Sequence, residues 1–182
     1  MSVNNNDNIF RYIAEYSGLL IELISDKQQL LRIDFIKEKK IKNNDTLAEP
    51  LKKVLSFLDD YFRGNESKIK IILNSEFLKN KSVKNTDSQF YLDMNGFTEK
   101  EIKIYSELLK VKSGKTVSYS ELAMRSGIAR GARFAGNCMA ANRFPVIIPC
   151  HRVIKRDGSI GNYSGGEGIK EFLLKHEMDN HR

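Results

Sequence analysis

The 182-residue sequence has few of the residues that build metal sites and disulfide frameworks. Its two cysteines are Cys138 and Cys150, and its three histidines are His151, His176 and His181. These side chains lack the short, repeated spacing that is typical of a zinc site, so we expect neither a metal ion nor another cofactor. Two cysteines also fall short of a disulfide framework, which favours a protein of a reducing compartment.

Long apolar runs are absent as well. No segment approaches the roughly 20 apolar residues that a membrane-spanning helix needs. Residues 1–6 are polar where a signal peptide would have its apolar core. Together these two absences predict an intracellular protein that does not contact a membrane.

The charge of the chain is basic. It carries 30 Lys and Arg against 23 Asp and Glu, a formal net charge of +7, and its pI is about 9.3. Such a surplus favours a polyanionic partner. A lysine-rich, solvated surface gives the same surplus, so charge alone does not separate the two interpretations. The length allows one ordinary domain or two small ones.

The first half of the chain is predicted to form an α+β domain over residues 1–90. Short apolar runs predict strands, and apolar residues at helical spacing predict one helix, which Gly64 ends. Residues 75–90 are polar and are interpreted as the linker to a second domain. The predicted strands are Leu19–Ile24, Leu30–Phe35 and Lys68–Leu73, and the predicted helix is Leu51–Phe62.

The second half, residues 91–182, is predicted to be mostly helical. Capping boxes, in which a Ser or Thr and a Glu three positions later satisfy the first amides of a helix, occur at Thr98–Glu101 and Ser118–Glu121. The second box opens a short helix that ends before Gly127, and a third helix is predicted over Ala129–Ala141. Two short helices joined by a tight turn make a helix-turn-helix candidate.

The predicted third helix has two different faces. Packing residues make its inner face, and arginines among small residues make its outer face. Small neighbours let a helix approach nucleic acid closely, so this face predicts a DNA-binding helix. The alternative interpretation is a surface helix whose two arginines are solvated. The inner face consists of Gly131, Ala135, Cys138 and Met139. The outer face consists of Arg130, Arg133, Gly136, Asn137 and Ala140.

The segment around Cys150 combines a thiol, a histidine and a glycine-rich loop. Residues Phe144–Ile148 are apolar and are predicted to form a short buried strand, after which Cys150 and His151 follow at a turn. A nearby histidine can lower a thiol pKa from about 8.5 into the range of roughly 3.5–7.5, which predicts a thiolate at neutral pH. A buried, inert cysteine is the alternative. The glycine-rich loop at 158–166 allows close approach of a ligand and favours the reactive interpretation.

Several motifs of the second half together resemble the O6-alkylguanine-DNA alkyltransferases, which repair DNA by direct reversal. The resemblance runs from about Phe97 to Glu177, and its most specific part is PCHRV at 149–153 followed by GNYSGG at 161–166. Other residues at family-like spacing are Ser118-Tyr119, Gly131-Ala132-Arg133, Asn142 and His176-Glu177. The resemblance implies an α+β fold, with a small N-terminal β-rich unit that has one helix and a mostly helical C-terminal domain with a helix-turn-helix.

The resemblance also implies an activity. The protein would transfer the alkyl group from O6-alkylguanine in double-stranded DNA to Cys150, irreversibly and stoichiometrically, as a single-turnover methylated-DNA–protein-cysteine methyltransferase. The target nucleotide would be flipped out of the duplex to expose the O6 atom. A monomer that needs no cofactor is implied, located with DNA in the cytoplasm and nucleoid or in the nucleus.

The resemblance assigns roles residue by residue. His151 would act as a base through a water and would be oriented by Glu177, while Asn142 would hold the turn before Cys150. Tyr119 would donate a proton or a hydrogen bond to the departing guanine. The residues that would line the guanine pocket are Tyr163, Ser164 and Pro145. The residues that would contact DNA are Arg133, in the gap left by the flipped nucleotide, Arg130, Gly136 and Asn137.

Two departures from the family pattern and three alternatives accompany this assignment. Phe134 and Asn137 stand where the family has small residues on the DNA-facing helix, and Arg143 follows Asn142 where Pro is common.

A non-repairing, alkyltransferase-like lesion-binding protein would lack the acceptor Cys150. A helix-turn-helix regulator would prefer one DNA sequence and form a dimer. A cysteine hydrolase would need a triad and an oxyanion hole, which the spacing does not indicate.

Overall fold

The computed structural model describes residues 9–38, 47–74, 88–161, 163, 165–166 and 168–180. The chain forms two compact units, Met1–Asp93 and Met94–Arg182. A sheet with one helix makes the first unit and mostly helices make the second, so the predicted α+β fold class is confirmed. No helix in the described part of the chain is long and apolar enough to cross a membrane.

The first unit is built on a five-stranded sheet. Its strands are β1 (Phe10–Tyr16), β2 (Leu19–Ser25), β3 (Leu30–Ile36), β4 (Lys70–Asn74) and β5 (Gln89–Asp93). They lie in the order β1-β2-β3-β5-β4. The first three strands form an antiparallel meander, whereas β5 runs parallel to both of its neighbours, β3 and β4.

One helix, α1, packs against this sheet. It spans Glu49–Phe62 and has Pro50 in its first turn, where the fixed φ of proline suits a helix and its missing N–H leaves no bond unmade. Leu51, Val54 and Leu58 recur at helical spacing and are fully buried, so the apolar stripe faces the sheet. The sheet contributes to the core Ile21, Leu23, Leu30, Ile33, Phe90 and Leu92.

The three predicted strands and the predicted helix of this unit are confirmed, with ends that differ by a residue or two. The interpretation of residues 75–90 as a linker is wrong at its C-terminal end, because β5 begins at Gln89 and is an inner strand of the sheet. Its buried residues, Phe90 and Leu92, alternate with half-buried ones, and the polar residues before them obscured this signal. Residues 75–87 lie outside the described residues.

The second unit carries four helices in its described residues. They are α2 (Glu99–Leu108), α3 (Tyr119–Arg125), α4 (Ala132–Ala140) and α5 (Ile169–Asn180). A short parallel pair joins β6 (Val117–Ser118) to β7 (Val153–Ile154). Strand β6 leads directly into α3, and β7 directly follows a 3-10 turn at Cys150–Arg152. The pair therefore ties the start of the helix-turn-helix to the segment that carries Cys150.

Side-chain caps determine where α2 and α3 begin. The Thr98 hydroxyl accepts from the Glu101 amide, and the Glu101 carboxylate accepts from the Thr98 amide at 2.7 Å, so the first capping box is confirmed. At α3 the Ser118 hydroxyl accepts from the Glu121 amide at 3.2 Å. The Glu121 carboxylate pairs with Arg125 instead of closing the box.

The turn between α3 and α4 is longer than predicted. The sequence predicts a helix from Ala129, but α4 begins at Ala132. Gly127 has a φ of +75° and Arg130 a φ of +53°, and both values lie outside the right-handed helical region. The two short helices and this turn form the predicted helix-turn-helix.

The segment before Cys150 is buried but is not a strand. Residues Phe144–Ile148 form a compact turn in which the Ile148 amide donates to the Phe144 carbonyl at 2.8 Å, and Val146 has a φ of +71°. The predicted strand is therefore wrong. Burial explains the apolar run, and a run of this length does not by itself distinguish a strand from a buried turn.

Candidate active site

Cys150 lies at the start of the 3-10 turn, and only 2% of its surface is exposed. Its Sγ atom accepts a hydrogen bond from Asn142 Nδ2 at 3.1 Å. The thiol also lies 3.6 Å from the Tyr163 hydroxyl oxygen, to which it donates. When the sulfur is ionised this second bond reverses, since a phenol is both a donor and an acceptor. The sulfur thus has a fixed position between two polar groups.

Asn142 holds the compact turn that precedes the thiol. Its Oδ1 atom accepts from the Phe144 amide at 2.9 Å, and its Nδ2 atom donates to the Ile148 carbonyl at 2.9 Å as well as to Sγ. One amide side chain therefore joins both ends of the turn to the sulfur. These bonds stabilise the left-handed conformation of Val146, which is costly for a β-branched residue.

The thiol of Cys150 is protonated at neutral pH. Burial raises its pKa, and the hydrogen bonds with Asn142 and Tyr163 and the positive charge of Lys170 oppose that rise without cancelling it. The predicted lowering of this pKa is therefore wrong, because removal from water outweighs the polar neighbours. The proton must leave the sulfur as an electrophile arrives, which requires a base.

His151 has the properties of that base. It is fully buried, and its Nε2 atom lies 2.6 Å from Glu177 Oε1. Burial lowers the pKa of His151, while the hydrogen bond and the charge of Glu177 oppose this effect, so the imidazole is neutral at neutral pH. With Nε2–H donating to the carboxylate, the lone pair lies on Nδ1, the nitrogen that can accept a proton.

Glu177 is the buried acceptor that orients this histidine. Its two oxygens also accept from the Arg152 guanidinium at 2.9–3.0 Å, and Oε2 accepts from the Gly114 amide at 2.9 Å. Arg152 is held in turn by the Val111 carbonyl at 2.6 Å. Burial raises the pKa of Glu177, but the hydrogen bonds and charges of His151 and Arg152 outweigh it and hold the pKa well below the usual range. The carboxylate is therefore ionised.

Cys150 lines a cavity of about 630 Å³. This volume is within the range of about 300–1,000 Å³ that is typical of small-molecule sites. The residues of α4 on one side are Ala132, Gly136, Met139 and Ala140. The other described lining residues are Tyr119, Cys150, Lys155, Gly161, Tyr163 and Lys170. Two lysines and no carboxylate among these residues make the cavity suited to neutral or anionic ligands.

Tyr119 and Lys170 supply polar hydrogens inside this cavity. Burial, and then the nearby Cys150, raise the pKa of Tyr119, so its phenol stays protonated and can donate a hydrogen bond. The Lys170 ammonium lies about 6 Å from the ring centres of Tyr119 and Tyr163 and donates to the Val153 carbonyl at 2.7 Å. Burial lowers the pKa of Lys170, and the neighbouring Cys150 opposes this effect.

Lys170 is not among the residues predicted for the site, although its position in the sequence carries a signal. Lys170, Leu173 and Glu177 occur at positions i, i+3 and i+7 of α5, and all three are buried. Helical spacing thus places Lys170 on the inner face with Glu177. Burying a lysine without a partner costs free energy, so a lysine at an inner-face position indicates a functional or paired residue.

The outer face of α4 has the exposure that its sequence predicts. Arg133 and Asn137 are exposed on the helix, Arg130 is exposed in the preceding turn, and Gly136 is half-buried at the cavity wall. On the inner face, burial raises the pKa of Cys138 to about 12, which makes this second thiol inert. The other inner-face residues, Gly131, Ala135 and Met139, are buried as well.

The two departures from the family pattern differ in their surroundings. Phe134 is half-buried, between the two faces of α4. The Arg143 guanidinium lies over the Phe97 ring, 4.6 Å from its centre, and donates to the Asn95 carbonyl at 3.0 Å. Arg143 therefore packs within its own unit, beside the turn that Asn142 holds.

The three residues predicted to line the guanine pocket have different outcomes. Pro145 is buried in the compact turn and is not among the described lining residues, whereas Tyr163 is. Ser164 lies outside the described residues.

Comparison with known proteins gives matches along both units. Residues 99–179 match the family model described as "6-O-methylguanine DNA methyltransferase, DNA binding domain". Residues 20–74 match the family model described as "6-O-methylguanine DNA methyltransferase, ribonuclease-like domain". Over 73 residues the chain is 53% identical to the methylated-DNA–protein-cysteine methyltransferase of Mus musculus, a match that covers 39% of this chain and 35% of the mouse protein. Over 86 residues it is 41% identical to the protein of that name from Methanothermobacter thermautotrophicus, covering 47% and 48%.

The fold also matches a solved structure. The O6-methylguanine methyltransferase of Mycobacterium tuberculosis is similar with a TM-score of 0.71 and 21% identity, over 94% of each chain. The chain's matches to the mouse and Methanothermobacter proteins span about a third and about a half of the length of those relatives.

Proposed function

Since the chain belongs to the 6-O-methylguanine DNA methyltransferase family, we propose that it repairs O6-alkylguanine in double-stranded DNA. The alkyl group moves irreversibly to Cys150, so each molecule acts once. The observation that carries this proposal is the Cys150 thiol in a 630 Å³ cavity, beside a buried His151–Glu177 pair. The helix that walls the cavity, α4, exposes Arg133 on its outer face.

The proposed reaction exchanges one proton and one alkyl group. His151 takes the thiol proton, through a bridging water, as Sγ attacks the alkyl carbon. The new S–C bond forms as the C–O6 bond breaks, and the electron pair of that bond stays with guanine. Tyr119 donates a hydrogen bond or its proton to the departing base, and the proton that His151 took from the thiol then passes to the base or to the Tyr119 oxygen, so that guanine, phenol and imidazole all end neutral. The products are a thioether and an ordinary guanine.

The polar residues around the thiol have separate tasks in this reaction. Glu177 stabilises the imidazolium that His151 becomes. Asn142 fixes the direction of Sγ, and the positive charge of Lys170 favours the developing thiolate. The rise in the thiol pKa by burial protects Cys150 from other electrophiles until a base is in place.

The need to flip the nucleotide out of the duplex gives a function to the exposed residues of the helix-turn-helix. A stacked base hides its O6 substituent, so the nucleotide must leave the duplex at a cost of a few kcal/mol. We propose that Arg133 fills the gap that the nucleotide leaves, and that Arg130, Gly136 and Asn137 lie against the DNA backbone. Small residues on α4 allow this close approach.

A protein that binds lesions without repairing them is the second candidate, and the fate of the alkyl group separates the two. The protein is incubated with duplex DNA that contains O6-methylguanine, and its intact mass and its Cys150 peptide are then measured. The proposal expects one hydrogen of that peptide to be replaced by one methyl group. Lesion binding without any gain in mass would establish the alternative.

Replacing Arg133 with alanine is expected to slow repair of duplex DNA by about tenfold or more, since the side chain offsets part of a flipping cost of a few kcal/mol. Reaction with free O6-benzylguanine should be unchanged, because a free base needs no flipping. The two second-order rate constants are measured for Arg133→Ala and for the wild type. Equal losses on both substrates would show that Arg133 acts on chemistry or folding.

A further inference from the structure

Two ammonium groups line the cavity, and they differ in depth and in partners. Lys170 is 1% exposed, and its Nζ atom donates to the Val153 carbonyl. Lys155 is exposed. Hydrogen bonds from Ser159 lower the pKa of the Asp157 carboxyl and the charge of Lys155 adds to this effect, without an ion pair between lysine and carboxylate in the described part of the chain. Lys155 therefore presents a positive charge and three N–H donors at the open side of the cavity.

The backbone holds Lys155 in this position. Its amide donates to the Ser159 carbonyl at 2.9 Å, and its own carbonyl accepts from the Gly158 amide at 3.0 Å, so a tight turn begins at Lys155. The stem of the side chain lies against Gly161. A Cβ atom at this glycine would come within 3.4 Å of Lys155 Cε and 3.6 Å of Cγ. The stem is thus packed along the cavity wall, which limits the positions of the ammonium.

The depth of Lys155 decides which part of a nucleotide it meets. The reacting alkyl carbon must contact Sγ of Cys150, which is 2% exposed and therefore at the closed end of the cavity. The sugar and phosphates remain joined to the DNA, so they must lie at the open end. Among the described lining residues, Lys155 is the cation at that end. A phosphodiester is the anionic group that a flipped nucleotide carries there.

We propose that Lys155 binds the phosphodiester group next to the flipped nucleotide and so holds the base in the cavity. The inference rests on the proposed function, to which it adds a substrate-binding residue outside the reacting groups. Gly161 beneath the lysine stem has a φ of +73°, a conformation that favours glycine and keeps the wall low at this point.

The test pairs a protein change with a DNA change. Lys155→Gln is compared with the wild type on two duplexes that contain O6-methylguanine, one natural and one with a neutral methylphosphonate in place of the phosphate next to the lesion. On natural DNA the variant should react about threefold to tenfold more slowly, as expected for the loss of one charged contact at an exposed site. On the methylphosphonate duplex the two proteins should react at equal rates. Lys155→Arg should restore most of the rate on natural DNA.

Two controls separate this contact from general attraction to DNA. Arg156→Gln removes the adjacent exposed cation, which is not among the described lining residues, so its effect should be the same on both duplexes. For Lys155→Gln the slope of log affinity against log salt should fall in magnitude by about one, as for the loss of one phosphate contact. Reaction of free O6-benzylguanine should be unaffected by Lys155→Gln, because that substrate has no phosphate.

Two results would contradict the role of Lys155 and leave the proposed function intact. One is an equal loss for Lys155→Gln on both duplexes, which would mean that the lysine acts through its overall charge. The other is a loss confined to a free guanine base whose O6 substituent carries a carboxylate, which would mean that the lysine meets the alkyl group. If the wild type transfers no alkyl group from either duplex or from the free base, the proposed function fails as well.

Discussion

Replacing Cys150 with serine is expected to abolish alkyl transfer and to leave DNA affinity unchanged. A serine hydroxyl is hardly ionised at neutral pH and is a much weaker nucleophile toward a saturated carbon than a thiol. The loss in rate should be on the order of a thousandfold or more, since the bond-forming group itself is removed. Serine keeps the size and polarity of the site, so the Asn142 contact with this side chain remains possible.

The matched control for this variant is Cys138→Ser. Cys138 is 1% exposed on the inner face of α4, and burial raises its pKa to about 12. Serine at this position should therefore leave the amount of transferred alkyl group at the wild-type level. Both variants are incubated with O6-methylguanine DNA, and the methylated protein is quantified by mass spectrometry. Transfer by Cys150→Ser, or its loss in Cys138→Ser alone, would place the acceptor elsewhere.

Replacing Glu177 with glutamine is expected to destabilise the second unit by about 3–5 kcal/mol, because it leaves the Arg152 guanidinium, whose side chain is only 11% exposed, without its counter-charge. Glu177 is 1% exposed and accepts hydrogen bonds from Arg152, His151 and the Gly114 amide. Solvent therefore does not reach this position to compensate for the lost negative charge. A chain of two compact units need not unfold in one step. The change is therefore measured as the free energy of opening, from hydrogen exchange of the α5 amides.

An exposed ion pair gives the control for Glu177→Gln. Glu121 and Arg125 pair at positions i and i+4 of α3, with side chains that are 43% and 46% exposed. Glu121→Gln should cost only about 0.3–0.5 kcal/mol, as such surface pairs do. Equal costs for the two variants would contradict the view that Glu177 is the buried charge on which this unit depends.

The same carboxylate predicts an acid dependence of stability. The pKa of Glu177 is lowered in the folded protein, so its contribution is fully present above its unfolded pKa of about 4.3 and is lost as the pH falls below that value toward the folded pKa. The wild type should lose stability in that window more steeply than Glu177→Gln. Identical acid profiles would show that Glu177 is not held ionised by folding.

Local signals predicted most elements of the fold correctly. Helical spacing in Leu51–Phe62 and the capping box at Thr98 each depend on residues a turn apart, and both elements formed where they were expected. The strand Gln89–Asp93 was missed because its partners are distant in sequence, so only tertiary pairing reveals it. The apolar run Phe144–Ile148 predicts a strand wrongly, because a buried turn held by an asparagine has the same composition.

The candidate site likewise combines features that local sequence predicts with features that only tertiary packing creates. Among the motif residues, Cys150, Gly161 and Tyr163 line the cavity, and Asn142 contacts the Cys150 sulfur from the turn before it. The environment of the thiol could not be predicted, because the rise in its pKa depends on the burial that the whole unit creates. Lys170 and Lys155 become site residues only through the packing of α5 and of the turn that Lys155 begins.

One measurement tests irreversible transfer to Cys150 most directly, and it is a progress curve with O6-methylguanine DNA in large excess over protein. A thioether carbon is unactivated, its thiolate is a poor leaving group toward water, and Cys138 is too deeply buried to relay the alkyl group. Repaired DNA should therefore rise to one equivalent per active molecule and then stop, with one methyl group on each Cys150. Repair that continues through several equivalents per molecule would contradict this account and would mean that the protein regenerates its thiol.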